Sequence, residues 1–596
     1  MNLSVLMPIS RLTAVVLLAI ALPVFAAPSP EWVERSNTNS AILLTVLANY
    51  APETASRFGV EGHDTDVTTL PLDINARTIA DLDVAIQQLD ARLATEKDSS
   101  IRQDLQILTN SAKLKIEGTR LGEKYNLPYF DVPQTVFQGL RGLLDEQVAP
   151  ERRRAALVRL RKYVGLEPGT TPLTRQAMAY TRAHFADKGL VGPFKDNVVK
   201  DMGNSPRYVA GVDELFKKFK VAGYEALFAE LKKQVDEYEG FLQSDVMPRA
   251  TTDFRQPPEL YRFSLKQFGN NMPVEELISR AKTSFREIQN EMNALAPLVA
   301  KEKGFTSTDY RDVIRELKKQ QFAGDAILPH YEARMKEIEQ IIAANHIVTL
   351  PQHKTKFRIA SEAETAATPA PHMDIPRLIG NTGEQGAFVL PLRIPSATGK
   401  GDLGLDDFTF DAASWTLSAH EARPGHELQF AAVIEKGVSL ARALFAFNSV
   451  NVEGWALYAE AELKPYEPLD GQLIALQHRL MRAARAFLDP SLQLGRMTRE
   501  EAYHVLEDEV ILSHAMATEE VERYTFWAPG QAPSYFVGYS RLMELRTDAE
   551  RMLGKSFDRQ SYHDFILSQG LVPPPLLREA VMNDYVKART VHAASD

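Results

Sequence analysis

Apolar residues recur along most of this chain at steps of three and four. Leu277, Ile278, Ala281, Phe285, Ile288 and Met292 form one such stripe. That spacing places side chains on one face of an α-helix and leaves the opposite face to water. The same period runs through 76–117, 150–163, 211–245, 328–345 and 472–488, which are predicted as helices. Strand signals are few. The clearest is 387–394 (AFVLPLRI), a short apolar run bounded by Gly386 and Pro395. Residues 361–385 are rich in Ala, Thr, Pro and Gly and are expected to form a surface loop. No repeat of 20–50 residues is evident. The pattern predicts a mainly α protein with a small β element.

Composition narrows the class. The chain has 596 residues, 44% hydrophobic and 24% charged, the balance of a globular protein. Its net charge of −10 and the lack of a basic stripe argue against nucleic acid as a partner. The break DVMPRATTDFRQPPE near 250 divides an N-terminal helical region, 27–250, from 251–596, the two forming one continuous superdomain. At the N-terminus Arg11 precedes the apolar run 12–25, and Val24-Phe25-Ala26 presents small residues at the −3 and −1 positions. Residues 1–26 are therefore read as a signal peptide cleaved after Ala26. The run is short of the roughly 20 apolar residues of a membrane span. With no cysteine in the chain, neither disulfides nor a lipid-bearing cysteine is available. The expectation is a periplasmic or secreted protein with no membrane association after cleavage, and an unknown oligomeric state.

The chemistry is concentrated in His420-Glu421-Ala422-Arg423-Pro424-Gly425-His426. Two imidazoles and a carboxylate in seven residues are zinc-hydrolase material, since zinc takes neutral nitrogen and anionic oxygen donors. Glu421, beside the first histidine, is placed to act as general base on water. The second histidine stands at i+6, not at the i+4 of the usual HExxH. On a regular helix that step turns it by about 240°. Pro424 and Gly425 are expected to bulge or end the helix so that His426 swings back. Downstream, Glu453 and Glu460 lie seven apart on one helical face, where one can ligate while the other holds an imidazole through its second nitrogen. No glycine-rich phosphate loop or GxSxG elbow is present, and no cysteine nucleophile is available.

HEARPGH, followed by VEGWALYAE and then by EEVERYTFWAPGQAPSYFVGYSRLMELR, resembles a large bacterial family defined only as a domain of unknown function. Its signature reads HExxPGH, EGWAxYxE and RY…PGQAxSYxxG. That family is similar to the zincin metallopeptidases, and SYFVGY resembles the tyrosine-glycine segment of thimet-type oligopeptidases. Those enzymes, angiotensin-converting enzyme and carboxypeptidase Taq share an HExxH helix, a downstream glutamate ligand and an almost all-helical body. The resemblance covers His420 to Arg546, and before that it is one of helical texture. It implies a large bilobed zincin-like body with the β element beside a central cleft. It further implies one Zn2+ per chain on His420, His426 and Glu453, and a short peptide substrate. The strand at 387–394 is then either an edge strand that pairs with substrate or a small structural hairpin.

Within the resembling blocks, Tyr535 is the candidate for stabilising the oxyanion, with Tyr539 as its rival. Arg523, next to Tyr524, is placed either to bind a peptide terminus or to brace a catalytic glutamate. Arg423 and Arg546 are read as structural ion pairs, and His478, His504 and His514 as structural. Two functions are carried forward. One is an exported zinc peptidase, its endo- or exo- character open. The other is a non-catalytic helical periplasmic binding or scaffold protein with a degenerate metal site.

Overall fold

The computed structural model describes residues 31–395 and 402–593. The expected signal peptide lies outside the described residues. Of the described residues 69% are helical and 4% are in strands, so the period-3.6 pattern translates into a mainly helical protein with a small sheet. Among the described residues no helix is long and apolar enough to cross a membrane.

The principal helices begin with α1 (Glu31–Tyr50), α2 (Ile74–Thr95) and α3 (Ser99–Tyr125), packed around Leu43, Leu89, Leu105 and Leu108. Asp98 starts α3 by accepting from the Ser100 and Ile101 amides, which would otherwise lack partners. A second cluster, built on Phe137, Val212, Phe216 and Tyr238, joins α4 (Val132–Arg141), α5 (Lys195–Lys218) and α6 (Glu225–Phe241). The largest core is drawn mostly from Met272 to Val586, with Ile107 of α3 joining it. It opens with α7 (Val274–Lys303), which buries Leu277, Ala281, Phe285, Ile288 and Met292 as the stripe requires, and continues with α8 (Ile327–Ala344). The clusters do not divide the chain cleanly by sequence. Ala363, Ala366 and Ala367 join the second cluster, and buried Asp104 of α3 accepts from Ser439 and from Arg442 at 2.6 and 2.8 Å.

The small sheet comes next, with β1 (Lys356–Ile359), α9 (Glu362–Ala367), β2 (His372–Asp374) and β3 (Ala387–Leu390). Strand order is β1-β3-β2, with β3 parallel to β1 and antiparallel to β2. This corrects two expectations. The 387–394 run is not an edge strand. Its first half is the central strand, buried on both faces, and Pro391 ends it because proline has no N–H for the ladder. Its second half forms a separate hairpin of β4 (Arg393–Pro395) with β5 (Asp402–Gly404). Nor is 361–385 a surface loop throughout. Ser361 and Glu364 make a reciprocal capping box at the start of α9, a signature that the Ala- and Thr-rich composition masks. Glu364 and Asp374 are then pinned by Arg141 and Arg358.

The remaining principal helices are α10 (Asp411–Glu421), α11 (His426–Glu435), α12 (Ser449–Leu463), α13 (Leu469–Gln493), α14 (His514–Glu522) and α15 (Ser534–Leu553). Helix α13 packs against α7, and α12 crosses α15. A π-helical turn, Arg523–Trp527, continues α14.

Candidate metal centre

The histidine motif is a helix, a break and a second helix. Helix α10 ends at Glu421, and α11 starts at His426. Pro424 lies between them, where its missing N–H costs no helical bond. The connection folds tightly over the last turn of α10. A Cβ on Gly425 would stand 1.9 Å from the His420 carbonyl oxygen, so only glycine fits there. Two side chains fix the break. Trp455 of α12 donates its indole N–H to the Pro424 carbonyl at 3.0 Å. Buried Arg423 donates to Glu427, Glu339 and the His353 carbonyl at 2.6–2.8 Å. Arg423 is thus an ion-pairing residue, as is Arg546, which pairs with Glu462 and Glu550.

The break returns His426 to His420. The two rings lie 4.8 Å apart at 83°, and one potential ligand atom from each of His420, Glu421 and His426 falls within 4.8 Å of the others. Glu453 completes the set. Its Oε2 is 3.6 Å from His420 Nε2 and 3.4 Å from His426 Nε2. These separations are long for hydrogen bonds. They match co-ligands on one tetrahedral ion, which stand about 3.3 Å apart at zinc–nitrogen bond lengths. Glu453 Oε2, Glu421 Oε2 and His426 Nδ1 are buried without a hydrogen-bond partner in the protein, a costly state that a bound cation relieves for an anionic ligand. Glu421 Oε1 lies farther out, 3.9 Å from His420 Nε2.

Glu460, two turns beyond Glu453, takes the other side of His420. Its Oε1 meets His420 Nδ1 at 2.6 Å, and its Oε2 accepts from Thr416 at 2.6 Å. Nδ1 is thereby held as the donor, leaving Nε2 free as a lone-pair ligand. The two carboxylates flanking the histidines are driven in opposite directions. Burial, together with the charges of Glu453 and Glu460, pushes Glu421 up to about 8. Burial also opposes ionisation of Glu453, but the facing imidazoles hold it well below the usual carboxylate range. In Glu460 the burial penalty is outweighed by Arg482 and His420, which bring it down to about 2.

Tyr535 lies against this group, its ring 6.1 Å from His420 and nearly parallel, with the Arg485 guanidinium 4.4 Å from the ring centre. Its hydroxyl accepts from Arg523 Nη1 at 3.4 Å. Tyr539, one turn on, turns to Arg479 instead. Tyr524 is fully buried and donates to Glu520, away from the histidines. Arg523 is held by Glu519 at 2.9 Å. His478 is buried near Glu460 and Arg482, and burial pushes its imidazole down to about 3. His504 and His514 sit at the surface beside Asp508 and Glu507.

Sequence reasoning assigned no role to Gln531 or to the guanidiniums of Arg482 and Arg485. Gln531 Nε2 lies 3.0 Å from Ser449 Oγ and 3.4 Å from Glu453 Oε1, and its Oε1 is 3.3 Å from Arg523 Nη1. It therefore links the ligand to the arginine, and it lay inside the quoted PGQ block. The shell around Tyr535 and the histidines contains the carboxylates Glu421, Glu453, Glu460, Glu519 and Glu520 and the guanidiniums Arg482, Arg485 and Arg523, all of them little exposed. The donor set fits zinc on donor type and spacing.

The family model described as "Bacterial protein of unknown function (DUF885)" matches residues 52–581. Two solved proteins are similar across nearly their whole length. One, from Colwellia psychrerythraea and described as a candidate lipoprotein, is 20% identical with a TM-score of 0.73, covering 93% of this chain and 99% of its own. The other, from Shewanella oneidensis, is described as a candidate lipoprotein of unknown function. It is 20% identical with a TM-score of 0.69, covering 93% of this chain and 100% of its own. At that identity the likeness is one of fold. No curated protein matches the chain.

Proposed function

We propose that this chain, which belongs to the bacterial DUF885 family, is an exported zinc-dependent hydrolase of amide bonds in short peptides. The observation that carries the reading is the placement of Glu453 Oε2 3.4 and 3.6 Å from the two histidine Nε2 atoms, with the Glu421 carboxylate beside them. His420, His426 and Glu453 would hold the ion, with Glu460 fixing the His420 ring. Zinc bound there would supply a Lewis acid and a water acidified to near-neutral pKa.

Glu421 is the proton carrier. A carboxylate beside a metal-bound water can take its proton and return it to the leaving nitrogen. Tyr535, its ring 6.1 Å from that of His420 and its hydroxyl accepting from Arg523, would be the oxyanion donor. A proton donated from that hydroxyl stabilises negative charge growing on the carbonyl oxygen. The buried surroundings strengthen each of these interactions. Export is supported by the apolar N-terminal run and by the descriptions of the two similar solved proteins, although this chain has no cysteine to carry a lipid.

Glu421→Gln tests the reading. The variant is expected to retain its zinc and to lose about 10²- to 10⁴-fold in turnover of a peptide library. Undiminished turnover would contradict it.

A further inference from the structure

We propose that Arg523 receives the free carboxylate at the carboxyl terminus of a peptide, so that the site cuts within two residues of that end. The inference rests on the peptidase reading above.

Three guanidiniums approach Tyr535, and each keeps a nitrogen without a hydrogen-bond partner in the protein. Arg485 is bound by Glu520 through two nitrogens. Arg482 is directed to Glu460 and to the His478 carbonyl. Arg523 differs. Glu519 anchors its Nη2 at 2.9 Å, while Nη1 makes only long contacts to neutral acceptors, 3.3 Å to Gln531 and 3.4 Å to Tyr535. One side of the guanidinium is thus fixed and neutralised, and the other has N–H donors in reserve. A carboxylate can take those donors in a planar, charge-assisted pair, which is stronger than two long neutral bonds.

Arg523 is itself buried but lies next to the more exposed side of the site. Of the site side chains, Glu453 keeps 17% of its surface and Gln531 is half-buried. Trp527, its ring 5.3 Å from the Arg523 guanidinium, is 46% exposed. The centre therefore meets solvent along the line Glu453–Gln531–Trp527, and Arg523 flanks that line. Gln531 touches both Glu453 and Arg523, which limits the separation of carboxylate and guanidinium to about 9 Å, the reach of two to three extended residues. A chain whose terminal carboxylate sat on Arg523 would place its last or next-to-last peptide bond at the histidines. Hydrolysis there gives the hydroxyl of water to the acyl carbon and its proton to the leaving nitrogen, releasing one amino acid or one dipeptide.

The rival role is an internal brace that only orders Tyr535 and Gln531. Matched short peptides ending in a free carboxylate or in a carboxamide separate the two on the zinc-loaded protein. The free acid is expected to be cut at its carboxyl end, with the amide slower by about 10- to 100-fold, and acetylation of the amino end should leave the rate within about twofold. In Arg523→Gln the acid should lose chiefly through a higher KM, and the acid-to-amide ratio should collapse toward one. A brace would slow acid and amide alike and preserve the ratio. Equal rates on acid and amide in the natural protein, or cleavage only in the peptide interior, overturn the inference while leaving the peptidase reading intact. Hydrolysis of neither by metal-loaded protein sinks that reading, and this inference with it. If Arg523→Gln does not fold, the acid–amide pair and the masses of the products decide the matter on the natural chain.

Discussion

His420 is held from two sides, with Nε2 toward Glu453 and Nδ1 on Glu460 at 2.6 Å. An imidazole fixed this way is pre-paid in orientation and more basic as a ligand. Glu460→Gln is therefore expected to weaken zinc binding about 10- to 100-fold, read by competition with a chromophoric chelator. Unchanged affinity would contradict the assignment. The residue scale also shows what a sequence can specify. His420, Glu421 and His426 were legible because they fall within seven positions. Glu453 and Glu460 were legible as a pair, and only the resemblance singled out Glu453 as the ligand, because a spacing of seven puts both on one face. Their roles divide only once α10 is docked beside α12. Arg485 and Glu520, 35 positions apart, carried no local mark at all.

At the scale of elements, the glycines of the EGW and SYFVG blocks explain each other. Gly454 of α12 and Gly538 of α15 face one another where the helices cross. A Cβ on Gly538 would stand 2.0 Å from the Val450 carbonyl oxygen, and one on Gly454 2.6 Å from the Gly538 α-carbon. This close approach brings Glu453 and Tyr535, each within a turn of its glycine, to the same histidines. Gly538→Ala should destabilise the protein by about 2 kcal/mol through overpacking and reduce zinc retention, as read by thermal unfolding with and without metal. A variant as stable as the natural chain would show that the crossing tolerates a side chain. The helices were legible because their faces are one-sided. Of the sheet only β3 was, since β1 and β2 pair with it across intervals without a hairpin signature, and the Ala- and Thr-rich segment hid both α9 and β2.

On the scale of the whole molecule, the N-terminal helices and the small sheet are joined by charge. Arg141 of α4 and Arg358 of β1 share Glu364 and Asp374. Burial opposes ionisation of Glu364, but the two guanidiniums bring it down to about 2, and Asp374 falls in the same direction. A depressed carboxyl pKa adds stability that is fully present above the unfolded value, near 4.5, and is lost as pH falls toward the folded one. For Glu364 alone this is of the order of 3 kcal/mol. Denaturant titrations at pH 7 and pH 3 should show Arg141→Gln destabilised at pH 7 and nearer to the natural protein at pH 3. Parallel losses at both would contradict this account of the junction. The mainly helical class was visible in the sequence. The return of α9 to the N-terminal cluster was not, because it depends on packing between segments more than 100 residues apart. The central claim is that the broken motif closes around one metal ion, and elemental analysis of the purified protein beside His426→Ala tests it most directly. About one zinc per chain, lost in the variant, is the predicted result. No bound metal, and none taken up when zinc is added, would contradict it.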